Sequence, residues 1–457
     1  MNRISLRHAA LALAAVLACS SCAAVRETPT VLSLPAPAFP QAHFAVFSDP
    51  HLFDARLGTR GKAFSEYIAA DRKMLAESEE ILQQAVRMVK DMHVQFLLVP
   101  GDLTKDGELQ DHKLFVSYLE DLKKSGIPAY VVPGNHDVLN PRAVQYTASG
   151  PKRVPNVTPE EFARLYAGFG YDGAVLRDPS SLSYVAEPVP GLWLLALDAC
   201  EYRQNAGRSA PVAAGELSSE TITWIRAVLL SAAREGIPVI AMMHHGLVEH
   251  FKGEERYFGD YLVRDWRGVS SLLSAYHVCV VFTGHFHAQD ITERRWDDGR
   301  FLYDVETGSL ITDPNPVREV AVDPSAQMSI RSSFITTLPS FAARGEDFGR
   351  FSRDSFRQSL KSITFRLMRR YLVPADEAAL LSGQVAEAFA AHVEGDECFT
   401  GREKVKRTGL SFMGSIVMAS RGDLVEGLWD DLPPADNDVT LDLAGPGTAA
   451  TQSAPQR

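Results

Sequence analysis

Five short polar motifs occur in a fixed order along the 457-residue chain, and their side chains are of the types that bind metal ions. Each motif directly follows an apolar run typical of a buried strand. Because ligands in open α/β sheets bind at the carboxyl ends of strands, we expect the five motifs to meet at one site. The motifs are Asp49-Pro50-His51, Gly101-Asp102, Gly134-Asn135-His136-Asp137, His244-His245 and Gly284-His285-Phe286-His287.

The residue types indicate which metals such a site would hold. Imidazole and carboxylate ligands suit Zn, Fe and Mn rather than Ca, and none of the five motifs contains the cysteines of a closed structural zinc site. Two ions about 3.5–4 Å apart need a bridging carboxylate and a mixed nitrogen and oxygen shell. One motif alone is more often a solvated loop, but five in order at strand ends predict a two-metal centre.

The set D-x-H, G-D, G-N-H-D, H-H and G-H-x-H resembles the calcineurin-like metallophosphoesterase superfamily, over residues 41–312. The resemblance implies an α/β fold, a four-layer α/β/β/α sandwich of two packed sheets flanked by helices. It also implies two divalent or mixed-valence metal ions (Mn, Fe or Zn). Carried over residue by residue, one ion is held by Asp49, His51, Asp102 and His287, and the other by Asp102 as the bridge with Asn135, His244 and His285.

The remaining polar residues of the motifs receive other roles from the same resemblance. His136 would lie beside the leaving-group oxygen as a proton donor or charge stabiliser. Of the adjacent histidines, His244 matches the family pattern better than His245. We therefore expect His245 and Asp137 to contact and orient the metal ligands without binding a metal ion themselves.

The implied activity is metal-dependent phosphoester hydrolysis by direct attack of a metal-bridging hydroxide on a phosphoester substrate. Phosphodiesters are favoured, because Gly101-Asp102-Leu103-Thr104 and the histidine pair before Gly246 resemble cyclic-nucleotide phosphodiesterases. Since the motifs place no serine or cysteine as a nucleophile, no covalent phosphoenzyme is expected. The alternatives are a phosphomonoesterase at the same site and a non-catalytic binding protein on the same scaffold. A purple acid phosphatase would need a tyrosine soon after Gly101-Asp102, where Leu103-Thr104-Lys105 stands.

Composition and charge agree with a globular hydrolase. The chain is 46% apolar and 23% charged, as is usual for soluble globular proteins. Its formal net charge of −11 argues against nucleic acid binding as such, so phosphate recognition must depend on local positive charge.

The first residues are expected to direct export. Arg3 and Arg7 precede an apolar stretch, Ala9–Ala18, that is too short to span a bilayer and is typical of a signal peptide. We assign residues 1–22 to this signal and 23–40 to a linker. The ending Val16-Leu17-Ala18-Cys19 resembles a bacterial lipoprotein signal, which implies lipid attachment to Cys19 and a membrane-anchored protein facing the periplasm or cell exterior. Lipidation of Cys22, or plain secretion after cleavage near Ala24, are the alternatives.

Periodicity predicts alternating helices and strands between the motifs, and hence βαβ units with a mainly parallel sheet. Beyond the catalytic domain (41–312), we predict a mainly helical C-terminal extension (313–431) with helices over 352–372 and 375–393. Ser329–Thr337 could add a strand. A tail rich in Pro, Ala, Asp, Gly and Ser (432–457) is predicted to be disordered.

Overall fold

A computed structural model describes residues 36–398 and 405–445 of the chain. The expected signal peptide with Cys19 and Cys22, and most of the 23–40 linker, lie outside the described residues. Within the described ranges, none of the helices has the length and apolar character needed to cross a membrane.

Fifteen strands form within the described residues. They are β1 (Ala42–Val46), β2 (Phe96–Val99), β3 (Ala129–Val131), β4 (Val144–Thr147), β5 (Gly150–Arg153), β6 (Leu176–Arg177), β7 (Tyr184–Val189), β8 (Leu192–Leu197), β9 (Val239–Met243), β10 (Val280–Thr283), β11 (Asp290–Arg295), β12 (Phe301–Glu306), β13 (Pro316–Val322), β14 (Gln327–Phe334) and β15 (Asp438–Asp442).

The strands build two large sheets and a separate β4–β5 hairpin. The first sheet has the order β15-β14-β13-β1-β2-β3, and the second has the order β11-β12-β10-β9-β8-β7-β6. Their central strands are parallel: β1 with β2 and β3, and β8 with β9, β10 and β12. The flanking strands are antiparallel, so the prediction of a mainly parallel sheet holds only for the sheet centres. Strands such as β13 and β14 follow each other too closely for the crossover that parallel pairing requires.

The two sheets pack face to face, as the four-layer sandwich requires. Phe44 of β1 contacts Phe282 of β10 edge-on, with ring centroids 5.4 Å apart. All residues of β9 are buried, and alternate side chains point to opposite faces. Ile240 and Met242 join the core between the sheets, whereas Met243 joins a second core formed with outer helices.

Helices cover the outer faces of both sheets. The described helices are α1 (Lys62–Ile68), α2 (Ser78–Asp91), α3 (Leu109–Lys124), α4 (Pro159–Leu165), α5 (Ser219–Glu235), α6 (Glu254–Phe258), α7 (Trp266–Ala275), α8 (Pro339–Arg344), α9 (Phe348–Arg370), α10 (Ala375–Glu394) and α11 (Phe412–Gly427). Single-turn segments lie at Ala55–Leu57, Ala167–Tyr171, Tyr202–Asn205 and Gly259–Tyr261.

Local sequence explains several helix ends. Thr158 and Glu161 form a reciprocal capping box at the start of α4. The Ser218 hydroxyl caps α5, which ends at Gly236 in the left-handed conformation that glycine adopts easily. Helices α2 and α3 pack against β13 and β3, and α5 and α7 supply apolar residues to the second core.

The C-terminal region contains α8 to α11 but also completes the first sheet. Strand β13 pairs with β1, so that sheet extends past the expected domain boundary at residue 312. Strand β15 lies inside the segment expected to be a disordered tail, which is a correction for residues 438–442. Composition pointed to disorder, but Leu441 is buried and the strand covers the edge of β14. Helices α9 to α11 share a third apolar core with Phe251 and Phe286.

Candidate metal centre

The predicted ligands lie in loops that directly follow β1, β2, β3, β9 and β10. Five of the seven have unusual backbone conformations, with positive φ angles from 36° to 76°: Asp49, His51, Asp102, His285 and His287. Such angles are costly for residues with a side chain and persist where the surrounding structure imposes them, often at functional sites. These five residues all belong to the two groups of candidate ligands described below.

The first group of candidate ligands comprises Asp49, His51, Asp102 and His287, all buried, with one ligand-type atom each within 4.8 Å of the others. His287 Nε2 lies 3.2 Å from Asp49 Oδ1 and 3.2 Å from His51 Nε2. His51 Nε2 lies 3.4 Å from Asp102 Oδ2. Two carboxylates and two imidazoles therefore surround a space that could hold a single metal ion.

A second group shares Asp102 with the first and adds His244 and His285. His244 Nε2 lies 3.5 Å from Asp102 Oδ1 and 3.2 Å from Asn135 Oδ1. The two oxygens of Asp102 thus face different groups, Oδ2 towards His51 and Oδ1 towards His244. This is the geometry expected of a carboxylate that bridges two cations.

Surrounding groups fix the orientation of these side chains. The Nδ1–H of His244 donates to the Pro100 carbonyl at 2.9 Å, which leaves Nε2 free to act as a ligand. Asp49 Oδ2 accepts from the Ser48 hydroxyl (2.5 Å) and the His285 amide (3.1 Å). Asp49 Oδ1 is buried and has no hydrogen-bond partner among the described residues. A buried carboxylate oxygen without a donor is costly, and a bound cation would satisfy it.

Charge in the cluster also suits metal ions. Burial lowers the pKa of His51, His285 and His287, so these imidazoles are neutral, as ligands must be. Burial disfavours charge on His244 too, but the adjacent Asp102 carboxylate outweighs it and raises its pKa to about 9. A cation bound to His244 would therefore displace a proton.

The motif glycines are explained by the ligands they adjoin. A Cβ atom on Gly134 would lie 2.1 Å from Asp102 Oδ1, and one on Gly284 would lie 2.3 Å from Asp49 Oδ2. A Cβ on Gly101 would lie 2.6 Å from His244 Nδ1. Because these contacts are far shorter than van der Waals separations, any larger residue would displace a ligand.

His245 and Asp137 lie beside the ligands and belong to neither group. His245 Nε2 is 2.8 Å from the Ala213 carbonyl, and burial together with His244 lowers the pKa of His245 to about 3. Asp137 accepts from the amides of Leu103, Thr104 and Gly134. It therefore joins the loops that carry Asp102 and Asn135.

His136 differs from the candidate ligands because its side chain is 18% exposed and its Nε2 lies 4.0 Å from Asp102 Oδ2. Its Nδ1 is 2.9 Å from Asp106 Oδ1 and 2.7 Å from the Lys105 carbonyl. Asp106 lies outside the five motifs, although it follows Asp102 by four residues. The sequence offers only the adjacent pair Lys105-Asp106 as a signal. In the structure, Lys105 is fully buried, pairs with Asp106 and lies over the Tyr67 ring.

The profile of the family described as calcineurin-like phosphoesterase matches residues 42–289. No sequence among curated proteins matches the chain. Among solved structures, a dimetal phosphatase from Danio rerio is similar, with a TM-score of 0.45, 15% identity, and coverage of 65% of this chain and 96% of that one. A purple acid phosphatase from yellow lupin (Lupinus luteus) seeds has a TM-score of 0.40 and 12% identity, covering 66% and 53%. The sulfate thiohydrolase SoxB from Thermus thermophilus has a TM-score of 0.32 and 15% identity, covering 71% and 61%.

The family match covers more than half of the chain and falls on the part that carries all five motifs. The chain belongs to the calcineurin-like phosphoesterase family. It is accordingly a metal-dependent hydrolase of phosphoesters, and its buried imidazole and carboxylate groups are suitable ligands.

Proposed function

We propose that this protein is a phosphodiesterase with a two-metal centre, acting by direct displacement without a covalent intermediate. The observation that carries the proposal is Asp102, whose two carboxylate oxygens face two separate groups of imidazoles. One group would comprise Asp49, His51, Asp102 and His287, and the other Asp102, Asn135, His244 and His285.

When bound, two divalent ions would neutralise phosphate oxygens and lower the pKa of a water molecule towards neutrality. The chain's own contribution is to hold seven ligand side chains in place before substrate arrives. A hydrogen bond that Asp49 Oδ2 accepts and one that the His244 Nδ1–H donates fix two of them, and the left-handed backbone positions fix others. Such preorganisation means that little reorganisation is needed during the reaction.

His136 is proposed to assist the leaving group. Its Nδ1–H donates to Asp106, which leaves Nε2 facing the centre near Asp102 Oδ2. Burial opposes a charge on His136, but Asp102 and Asp106 together raise its pKa. A protonated Nε2 can donate to the departing oxygen of a phosphoester.

Metal analysis combined with hydrolysis of two aryl phosphates tests the proposal. The full chain, loaded separately with Mn²⁺, Zn²⁺ or Fe, is expected to hydrolyse bis(4-nitrophenyl) phosphate faster than 4-nitrophenyl phosphate. Faster cleavage of the monoester would favour the phosphomonoesterase alternative. Tight metal binding with no hydrolysis of either compound would favour a binding protein on this scaffold.

The stereochemistry at phosphorus tests direct displacement. Hydrolysis of a chiral phosphorothioate diester in ¹⁸O-labelled water is expected to place one label in the product with inverted configuration. Net retention would require a covalent intermediate and would overturn the mechanism.

We further propose that the protein is exported and anchored by acyl chains on Cys19. This rests on the signal-like segment at residues 1–22. The expressed protein should partition with membranes, and replacing both Cys19 and Cys22 with serine should release it. Wild-type protein found wholly in the soluble fraction would exclude the anchor.

A further inference from the structure

A second cluster of buried ionisable side chains joins the C-terminal region to the second sheet. Asp290 begins β11, His392 lies in the last turn of α10, and Glu397 follows in the next loop. All three are buried, and one ligand-type atom from each lies within 4.8 Å of the others. His392 Nδ1 is 2.9 Å from Glu397 Oε1 and 3.7 Å from Asp290 Oδ2.

The hydrogen bonding of this cluster is incomplete. Glu397 is 7% exposed, yet its Oε2 has no partner in the part of the chain that the structure describes. Asp431 Oδ1 is likewise buried without a partner among those residues. Unpaired carboxylate oxygens away from water are costly unless a donor or a cation satisfies them.

The cluster also has more carboxylates than cations. Asp290 Oδ1 already accepts from His250 Nδ1 at 2.9 Å, which leaves His392 to serve Glu397 and the other oxygen of Asp290. The buried Arg318 guanidinium donates to the carbonyl oxygens of Glu306 and Asp436.

We propose that Asp290, His392 and Glu397 bind a structural divalent metal ion, and that the unpartnered Asp431 is a candidate for a further oxygen ligand. One imidazole with several carboxylate oxygens suits Zn²⁺ or Mn²⁺ better than Ca²⁺. The site is separate from the centre at Asp102 and needs no substrate. Its ion ties the end of α10 and the following loop to β11, and so holds the helical region against the sheet that carries His285 and His287.

Crystals of the full chain grown with Zn²⁺ test the site directly. An anomalous difference map at the zinc edge should show a peak bonded to Asp290, His392 and Glu397, at about 2.0–2.2 Å from their ligand atoms. In solution, Glu397→Gln should lower the metal content by about one ion per chain, because a neutral amide cannot replace the anionic ligand. The same variant should still hydrolyse bis(4-nitrophenyl) phosphate.

Glu254→Gln is the matched control, since Glu254 is also buried but accepts from the His250 amide. It should retain the full metal content. Absence of the anomalous peak, with unchanged metal content in Glu397→Gln, would show that His392 is only ion-paired and would overturn the proposal. Equal metal loss in both variants would also overturn it. If Glu397→Gln fails to fold, the wild-type map still decides. An anomalous peak at this site, in a protein that hydrolyses no phosphoester, would contradict the proposed function but not the structural metal site.

Discussion

Asp106 accepts a 2.9 Å hydrogen bond from Nδ1 of His136, although the two residues lie on different loops. Lys105 is buried next to the pair and forms ion pairs with Asp106 and Glu108. Burial of Asp106 disfavours its charge, but Lys105 and His136 hold the pKa of this carboxyl well below its usual range. An anionic Asp106 therefore fixes the ring orientation of His136.

Replacing His136 with alanine should lower kcat by about 10²–10⁴ and leave the metals bound, because the residue is proposed to act on the leaving group. Steady-state kinetics with aryl phosphodiesters of graded leaving-group pKa measure the effect, and metal analysis accompanies them. The loss should be smallest for the best leaving groups. A parallel fall in metal content would reassign His136 as a ligand.

Asp106→Asn should lower kcat less than His136→Ala does. The expected loss is roughly tenfold, which is smaller than the full contribution of a general acid. The amide can still accept from Nδ1 but no longer supports a positive charge on the ring. The variant that carries both His136→Ala and Asp106→Asn separates a positioning role of Asp106 from an effect on folding. Its kcat should be no lower than that of His136→Ala alone. Full additivity of the two losses would mean that Asp106 acts independently of His136.

Asp102→Ala should abolish turnover and empty at least one metal position. Without its carboxylate, two cations would repel each other with no bridging anion between them. Asp102→Asn should be nearly as damaging, because an amide cannot bridge as an anion. Metal content and hydrolysis rates of the purified variants provide the measurement, and normal values for both would refute the bridging role.

Adding one methyl group at Gly134 should weaken metal binding through a local clash and not through a loss of overall stability. Gly134→Ala places its Cβ 2.1 Å from Asp102 Oδ1, and we expect at least a tenfold weaker metal affinity, as for loss of an outer-shell partner. Gly173→Ala is the control, because nothing lies within 4 Å of its Cβ. The control should change unfolding free energy by less than about 0.5 kcal/mol. Equal metal affinity in the two variants would contradict the clash.

His112 should make the protein less stable in acid. Burial lowers the pKa of His112 from 6.5 to about 4, so the folded protein keeps this histidine neutral while the unfolded chain binds a proton. Its stabilising contribution is complete above pH 6.5 and falls as the pH drops from 6.5 to 4, by at most about 3 kcal/mol. Denaturant unfolding of wild type and His112→Gln at several pH values should show their stability difference shrinking in acid. A pH-independent difference would exclude a buried neutral His112.

Much of the fold and the candidate site could be predicted because the motifs are local. An apolar run followed by Gly101-Asp102 or His244-His245 marks both a strand and its carboxyl end. The role of Asp106 could not be predicted from a local motif, since it depends on a turn that brings His136 beside it. The cluster around His392 was hidden for a similar reason: Asp290 and His392 are separated by a long stretch of chain. Strand β15 could not be predicted because its few apolar residues stand among residues typical of disorder.

Strand β1 lies between β2 and β13 in the first sheet, so its two partners come from opposite parts of the chain. His51 and His287 approach within 3.2 Å although they are 236 residues apart in sequence. During synthesis, a nascent chain that already displays Asp49, His51 and Asp102 still lacks both β13 and His287. Non-local pairing of this kind makes folding slow. The first group of candidate ligands can therefore be assembled only after His287 and β13 have been synthesised, and any ion that this group binds is acquired after that point.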